Sequence, residues 1–325
     1  MTAHRISLDE FVAGIRSGNR RLLAKAISLV ESTHPHDIEH AQNLIERILP
    51  FTGAAFRLGI TGVPGAGKST FIETFGMMLC KRGHTVAVLA IDPSSERTGG
   101  AILGDKTRML YLSREEKAFI RPSASSGTLG GTARKTRETM LLCEAAGYDV
   151  IIIETVGVGQ SETAVARLTD FFLALMLANA GDELQGIKRG IMEMCDAIIV
   201  NKADTNRDHA QLTQRRLLAS LHLLTPKYPA WAVPVLLASA TAHEGIEEVW
   251  AVCEQFRTLC GEQIARLRSE QAVYWMRDAL DDILRQRFFA HAGIEQQYKD
   301  FEEQVRIGKG SPTALAGELV KMFQG

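Results

Sequence analysis

The 325-residue chain contains no Cys-x-x-Cys pair. Its five cysteines, Cys80, Cys143, Cys195, Cys253 and Cys260, are widely spaced, which argues against a zinc knuckle or a redox dithiol. Most lie in apolar patterns and are expected to be reduced core residues of a cytosolic protein. Long apolar runs are also missing. The longest, FFLALMLA over residues 171–178, falls far short of the roughly 20 residues a membrane-spanning helix needs. The first residues, MTAHRISLDEF, lack the apolar stretch of a signal peptide, so a soluble, cytoplasmic protein is expected. Net charge is nearly absent: 37 basic and 38 acidic residues leave −1, which gives no footprint for nucleic acid and no attraction to a membrane surface. Internal repeats and low-complexity segments are absent too.

What is present divides into three parts. Residues 1–55 carry helical periodicity: Leu23, Ile27 and Val30 recur at helical spacing, as do Ile38, Ala41, Ile45 and Ile48. Ser7 and Glu10 stand in a capping-box relation ahead of a first short helix. From residue 56 to about 250 the period changes. Seven strand-length apolar runs appear: RLGIT (57–61), TVAVLAI (85–91), AFI (118–120), VIII (150–153), FFLALML (171–177), AIIV (197–200) and VPVLLA (233–238). Runs without polar alternation, separated by helical crossovers, predict an α/β domain with a mostly parallel sheet covered by helices on both faces. Residues 251–325 return to helix, with an apolar stripe through Met276, Leu280, Ile283 and Leu284, a break at Gly293 and a last helix over 312–323.

The polar motifs follow the strands, at the edge where open α/β sheets bind ligands. RLGIT leads into GVPGAGKS, residues 62–69, which fits GxxxxGK[ST] without exception. A triphosphate needs backbone N–H groups pointing inward around it, and the glycines at 62, 65 and 67 permit that wrap. The helix that follows offers its N-terminus to negative charge. Gly62, Val63, Pro64, Gly65, Ala66, Gly67, Lys68, Ser69 and Thr70 are therefore the candidate phosphate-binding residues. Lys68 can reach the β- and γ-phosphates, and the Ser69 hydroxyl can ligate Mg²⁺. Asp92 ends the next strand and Glu154 ends another; a carboxylate there can hold Mg²⁺ directly or through water. Asp105 is a third candidate for the metal, and Lys68 and Glu154 are the candidate catalytic pair. Gly157 leaves room for a backbone N–H that senses the γ-phosphate.

The run AIIV ends in Asn201-Lys202-Ala203-Asp204, the pattern NKxD. The Asp204 carboxylate can accept from guanine N1–H and from its N2 amino group. Adenine has no N2 donor and presents a lone pair at N1, so an aspartate facing it loses both bonds, and sites of this type discriminate by factors on the order of 10⁴. Asn201 can bond the O6/N7 edge or brace the loop, and the Lys202 stem can cover the ring. Downstream, Ser239-Ala240-Thr241, with Gly245-Ile246 beyond it, fits a loop whose backbone N–H meets guanine O6.

In order along the chain stand GVPGAGKST, IDPSSERTGGAILGDKTRM, SASSGTLGG, ETVGVGQSE, ANAGDELQGIKRGIMEMCD and NKAD. Across nearly all of its length the sequence resembles the ArgK/MeaB family of P-loop GTPases. That resemblance implies a helical N-terminal part, a central GTPase domain and a C-terminal dimerisation arm. It implies GTP or GDP with Mg²⁺ as cofactors, a homodimer, and a chaperone role toward the adenosylcobalamin-dependent methylmalonyl-CoA mutase. By matching stretches it makes Asp92, Asp105 and Glu154 magnesium-site residues. It also makes Ala180–Lys188 an added switch signalling through Asp182, Gln185 and Lys188. Two departures bear on rate. Many GTPases place Asp where Glu154 stands, and a glutamine directly after the glycine. Here Val158 follows Gly157 and Gln160 lies further on, so slow intrinsic hydrolysis is expected.

Other readings compete. Related GTPases insert metals, and His34, His36 and His40 are the only histidines of this chain grouped for that role. ArgK-like sequences have also been labelled ATP-using kinases of amino-acid transport; NKAD and the lack of an HRD-type catalytic loop argue against it. A dimer that binds nucleotide only for stability is a third. Arg134, Lys135 and Arg137 follow a Gly-Gly pair and are expected to form a solvated helix face.

Overall fold

The computed structural model describes residues 6–91, 109–122, 129–155, 161–178 and 189–324. The chain divides into two compact units, Met1–Gln271 and Ala272–Gly325.

The first unit opens with three helices, α1 (Leu8–Arg16), α2 (Arg20–Glu31) and α3 (Pro35–Ile48). Local chemistry sets their starts. The Ser7 hydroxyl accepts from Glu10 N at 3.2 Å while the Glu10 carboxylate accepts from Ser7 N at 2.8 Å, closing both halves of the capping box. Asn19 accepts from Arg21 N and Leu22 N at 3.1 Å, and Pro35 occupies the first turn of α3, where its missing N–H costs nothing. Of the predicted periodic residues, Leu23, Ile27, Val30, Ala41 and Ile48 are buried, and Ile38 and Ile45 are half-buried.

Each of the seven predicted apolar runs holds a strand: β1 (Phe56–Gly62), β2 (Val86–Ile91), β3 (Ala118–Arg121), β4 (Val150–Thr155), β5 (Phe171–Leu177), β6 (Ala197–Asn201) and β7 (Val235–Leu237). They form one sheet in the order β3-β2-β4-β1-β5-β6-β7, and every pairing is parallel. Leu58 of β1 lies opposite Ile152 of β4 on one side and Phe171 of β5 on the other. The helices are α4 (Lys68–Lys81), α5 (Leu129–Ala145), α6 (Ser161–Ala166), α7 (Arg189–Met194), α8 (Arg207–Leu221), α9 (Ile246–Leu259) and α10 (Gly261–Ala290). Helix α9 packs against α4 over one face of the sheet. There Trp250, fully buried, meets Phe56 and Phe75 edge-on at ring-centroid distances of 6.3 and 6.1 Å, and Phe71 stacks on Phe75 at 5.5 Å. Helix α5 packs with α2 and α3 on the other face. Arg20 donates to the Ala118 carbonyl and Arg121 pairs with Glu31, which covers the β3 edge and fastens α2 to it.

That packing overturns one expectation. Lys135 is buried, and Arg134 and Arg137 are only partly exposed, so they do not form a solvated face. Helix α2 lies over this part of α5, and the Glu31 carboxylate is close enough to act on the Lys135 ammonium. All five cysteines are free and buried, as their apolar surroundings predict.

At the N-terminal edge of the sheet, ion pairs join distant segments. Arg57 Nε donates to Glu144 at 2.6 Å inside the protein. The Asp170 carboxylate accepts from Arg57 N at 2.8 Å and from both Nε and Nη2 of Arg268, at 2.7 and 2.6 Å. The second unit contains the rest of α10, then α11 (Ile294–Arg306) and α12 (Pro312–Gln324). Gly293 caps α11 at φ +84°, and Phe288 meets Phe323 at 5.3 Å. No described helix is long and apolar enough to cross a membrane.

Candidate nucleotide site

The phosphate-loop motif, NKAD and SAT all lie at the C-terminal ends of strands: β1, β6 and β7 respectively. Strand β1 is the place where the chain order along the sheet turns, with β4 on one side and β5 on the other. Such a point is where doubly wound sheets leave a crevice.

The loop after β1 is built by close approach. At Gly62 a Cβ would sit 2.5 Å from the Leu175 carbonyl oxygen on β5, so no side chain fits. Ala66 N donates to Val63 O at 3.1 Å, and Gly67 turns the chain into α4 in the left-handed region at φ +84°. A Cβ on Gly67 would fall 2.9 Å from Asn201 Nδ2. Lys68 arches back across the loop and its Nζ donates to the Gly62 carbonyl at 2.7 Å. Burial lowers the Lys68 pKa, and the Glu154 and Glu162 carboxylates partly offset that. Ser69 and Thr70 stand in the first turn of α4. Val63, Pro64 and Gly65 form the outer arc of the loop, before Ala66, which is fully buried.

Glu154 lies at the end of β4, opposite Ile60 of β1 and Ala90 of β2, and is buried. One step on, the Thr155 and Thr61 hydroxyls meet at 3.0 Å across β4 and β1. Glu162, in the first turn of α6, is also buried. Its charge acts on Lys68, and no motif in the sequence marks it. The available signal was an acid placed directly after the glycine-rich stretch ETVGVGQ, in a helix that packs on β1 and β4. Asp92, Asp105, Gly157, Val158, Gln160, Asp182, Gln185 and Lys188 lie outside the described residues.

At the base end, Asn201 braces the loop. Its side chain is 1% exposed; Nδ2 donates to the Ala66 carbonyl at 2.8 Å, and Oδ1 accepts from Ala240 N at 3.3 Å. Lys202 follows at φ +58°, a turn that brings Ala203 N onto the Ala238 carbonyl at 3.0 Å. The turn leaves Lys202 and Asp204 exposed while Ala203 is buried. The Lys202 Cε lies 3.6 Å from the Cβ position of Gly67, so its stem runs beside the phosphate loop. In the SAT loop, Ser239 and Glu244 exchange backbone hydrogen bonds of 2.9 and 3.0 Å. The Ser239 hydroxyl accepts from Ala242 N at 3.1 Å and lies 3.2 Å from the Thr241 hydroxyl. Thr74 of α4 donates to the Ala240 carbonyl at 3.0 Å. The phosphate loop, the base motif and the SAT loop are thus one hydrogen-bonded assembly.

The family model described as "Methylmalonyl Co-A mutase-associated GTPase MeaB" matches residues 23–293. A probable GTPase of Mycobacterium tuberculosis is 49% identical over 320 residues, covering 97% of this chain and 95% of that protein. GTPase ArgK of Escherichia coli is 46% identical over 321 residues, covering 98% and 97%. Among solved structures, one titled "Crystal structure of LAO/AO transport system kinase" superposes with a TM-score of 0.78 at 39% identity, covering both chains completely.

Proposed function

The chain belongs to the MeaB family of methylmalonyl-CoA mutase-associated GTPases, and from that premise we propose that it binds GTP, hydrolyses it to GDP and phosphate, and serves as a chaperone to an adenosylcobalamin-dependent methylmalonyl-CoA mutase. The observation that carries the nucleotide reading is the Asn201 bridge. It fastens the guanine-type motif to the phosphate loop and leaves the Asp204 carboxylate exposed at the open end of the assembly.

In this reading the P-loop backbone from Gly62 to Thr70 wraps the phosphates. Lys68 leaves the Gly62 carbonyl for the β- and γ-phosphate oxygens. Asp204 accepts from the guanine N1–H and N2 amino group, and the Ser239-Ala240-Thr241 loop supplies backbone N–H to O6. The donors fit a hard divalent cation. Ser69 offers a hydroxyl and Glu154 a buried carboxylate, and two buried carboxylates, Glu154 and Glu162, act on the single Lys68 charge. Mg²⁺ held by Ser69 and Glu154, with Asp92 and Asp105 as further acids, would neutralise charge on the phosphate oxygens. Glu154 and Lys68 are the catalytic pair, and turnover is slow without a partner, because Val158 rather than a water-orienting glutamine follows Gly157.

Asp182, Gln185 and Lys188 signal nucleotide state to the mutase from the segment between β5 and α7. Dimerisation belongs to the C-terminal arm, 251–325. There Val273, Met276, Leu280, Ile283 and Leu284 recur at helical spacing and are 41–65% exposed, an apolar stripe suited to a second copy of the chain. The expected site of action is the cytoplasm.

The transport-kinase title of the structural relative keeps a second reading in view, an ATP-dependent kinase. One experiment separates the two. Mg-GDP and Mg-ADP are titrated against the protein by calorimetry, and complex formation with a B₁₂-dependent mutase is then followed with GDP and with a non-hydrolysable GTP analogue. Guanine preference and a nucleotide-dependent complex are expected. Equal affinity for ADP removes the GTPase reading, and a complex indifferent to nucleotide removes the chaperone role.

A further inference from the structure

Thr74 stands two turns into α4, where a threonine hydroxyl ordinarily bonds back to the carbonyl four residues earlier in its own helix. Here it donates instead to the Ala240 carbonyl at 3.0 Å, a residue 166 positions away. Ala240 is buried, and its own N–H is already held by Asn201 Oδ1 at 3.3 Å. Two consecutive peptides of the SAT loop are therefore pinned from outside the loop. Asn201 fixes the Ser239–Ala240 peptide, and Thr74 fixes the Ala240–Thr241 peptide. In a planar trans peptide the C=O and N–H point in opposite directions. Holding the Ala240 carbonyl toward α4 thus turns the Thr241 N–H away from it.

The direction of these peptides decides which base edge the loop accepts. Guanine presents a carbonyl oxygen at position 6, which needs a donor. Adenine presents an amino group there, which needs an acceptor. A peptide free to rotate exchanges one for the other. We propose that Thr74 is a specificity-positioning residue for the base. Its hydroxyl locks the SAT loop in the donor-presenting orientation and ties base selection to the helix that carries Lys68 and Ser69. The proposal rests on the guanine-nucleotide reading and deepens it. It also closes a ring: Ala66 to Asn201, Asn201 to Ala240, Ala240 to Thr74, and Thr74 back along α4 to the phosphate loop.

The test uses the full-length protein with Mg²⁺ and measures the affinities of GDP, IDP and ADP by calorimetry for wild type, Thr74→Val and Thr74→Ser. Valine keeps the shape and removes the hydroxyl, while serine returns it. Inosine keeps O6 and lacks the N2 amino group, so the GDP-to-IDP ratio reports Asp204 and the GDP-to-ADP ratio reports the position-6 edge as well. For Thr74→Val the GDP-to-ADP ratio should fall about tenfold, the scale of one net hydrogen bond, while the GDP-to-IDP ratio holds. Thr74→Ser should restore the first ratio. Thr74→Ala gives the same reading if valine strains the helix contact. An unchanged GDP-to-ADP ratio overturns the proposal, as does a parallel fall of both ratios, which would mark general loosening. If wild type itself binds ADP as tightly as GDP, the nucleotide reading falls first and the positioning role with it.

Discussion

Asn201 Nδ2 donates to the carbonyl of Ala66 across 135 residues of sequence, at 2.8 Å and out of contact with solvent. The same side chain accepts from Ala240 N. One amide therefore satisfies a buried acceptor in the phosphate loop and a buried donor in the base loop, and the residue works as a strut between them.

Removing the strut should weaken both ends together. Asn201→Ala leaves the Ala66 carbonyl and the Ala240 N–H without their partner, and each buried unsatisfied group costs about 1–3 kcal/mol. GDP affinity should fall on the order of 10²-fold, at about 1.4 kcal/mol per tenfold. Asn201→Asp should be no milder, because a second oxygen then faces the Ala66 carbonyl. Fluorescent-GDP titration measures both variants, and affinity within twofold of wild type would show that the strut carries no binding energy.

Asp204 lies at the exposed end of the same assembly. Asp204→Asn replaces one acceptor by a donor while leaving the shape unchanged. Guanine then loses a bond at its N2 amino group, and xanthine, with a carbonyl there, gains one. GTP affinity should drop by roughly 10²-fold or more and XTP affinity should rise above that of wild type. Competition of XTP against labelled GDP reads the exchange directly; a variant that loses GTP without gaining XTP would place the selectivity elsewhere.

Much of this architecture could be read from residue patterns, for a physical reason. Strands of a parallel sheet covered on both faces have no polar side, so all seven appear as largely apolar runs without polar alternation, and the residues that end them fall on the ligand edge. The phosphate loop and NKAD were legible because each is a local solution to a local problem. The partners of Asn201 and Thr74 were not, since both reach across the sheet to residues that no spacing rule links. The burial of Lys135 is not legible for a related cause. A run of charges on a helix reports a preference for water, and only the fold shows that α2 lies over it. Glu162 was hidden because a glutamate in a first helical turn reads as a dipole partner, whereas its charge acts on Lys68.

The ion network at the opposite edge of the sheet predicts a large stability effect far from any nucleotide. Asp170 is fully buried and accepts from Arg57 N and twice from Arg268. Asp170→Asn leaves the Arg268 guanidinium without its counter-charge and should cost about 3 kcal/mol. Adding Arg268→Met to that variant removes the stranded charge and should recover part of the loss. Urea unfolding followed by circular dichroism gives both values. A double variant no more stable than Asp170→Asn alone would mean that losing the Arg268 bonds to the Gly53 and Ala55 carbonyls costs as much as the unpaired charge.

Asp196 predicts a dependence on pH. It lies just ahead of β6, buried, with Lys227 Nζ at 3.1 Å and Phe172 N donating to it at 2.8 Å. Burial pushes its carboxyl up from an ordinary 3.8 to about 6, against the pull of Lys227 and of the Phe172 hydrogen bond. A raised folded-state value means that the native protein holds a proton which the unfolded chain has already released. The contribution of this group to stability is therefore greatest below about pH 4 and declines as pH rises to about 6, where it levels off. Asp196→Asn keeps an acceptor for Phe172 N and removes the titration, so its melting temperature, compared with that of wild type from pH 4 to 7, should lack this decline. Parallel melting curves for the two proteins across that range would mean that Lys227 holds Asp196 ionised throughout, and the pair would then be an ordinary buried ion pair with no part in the acid response.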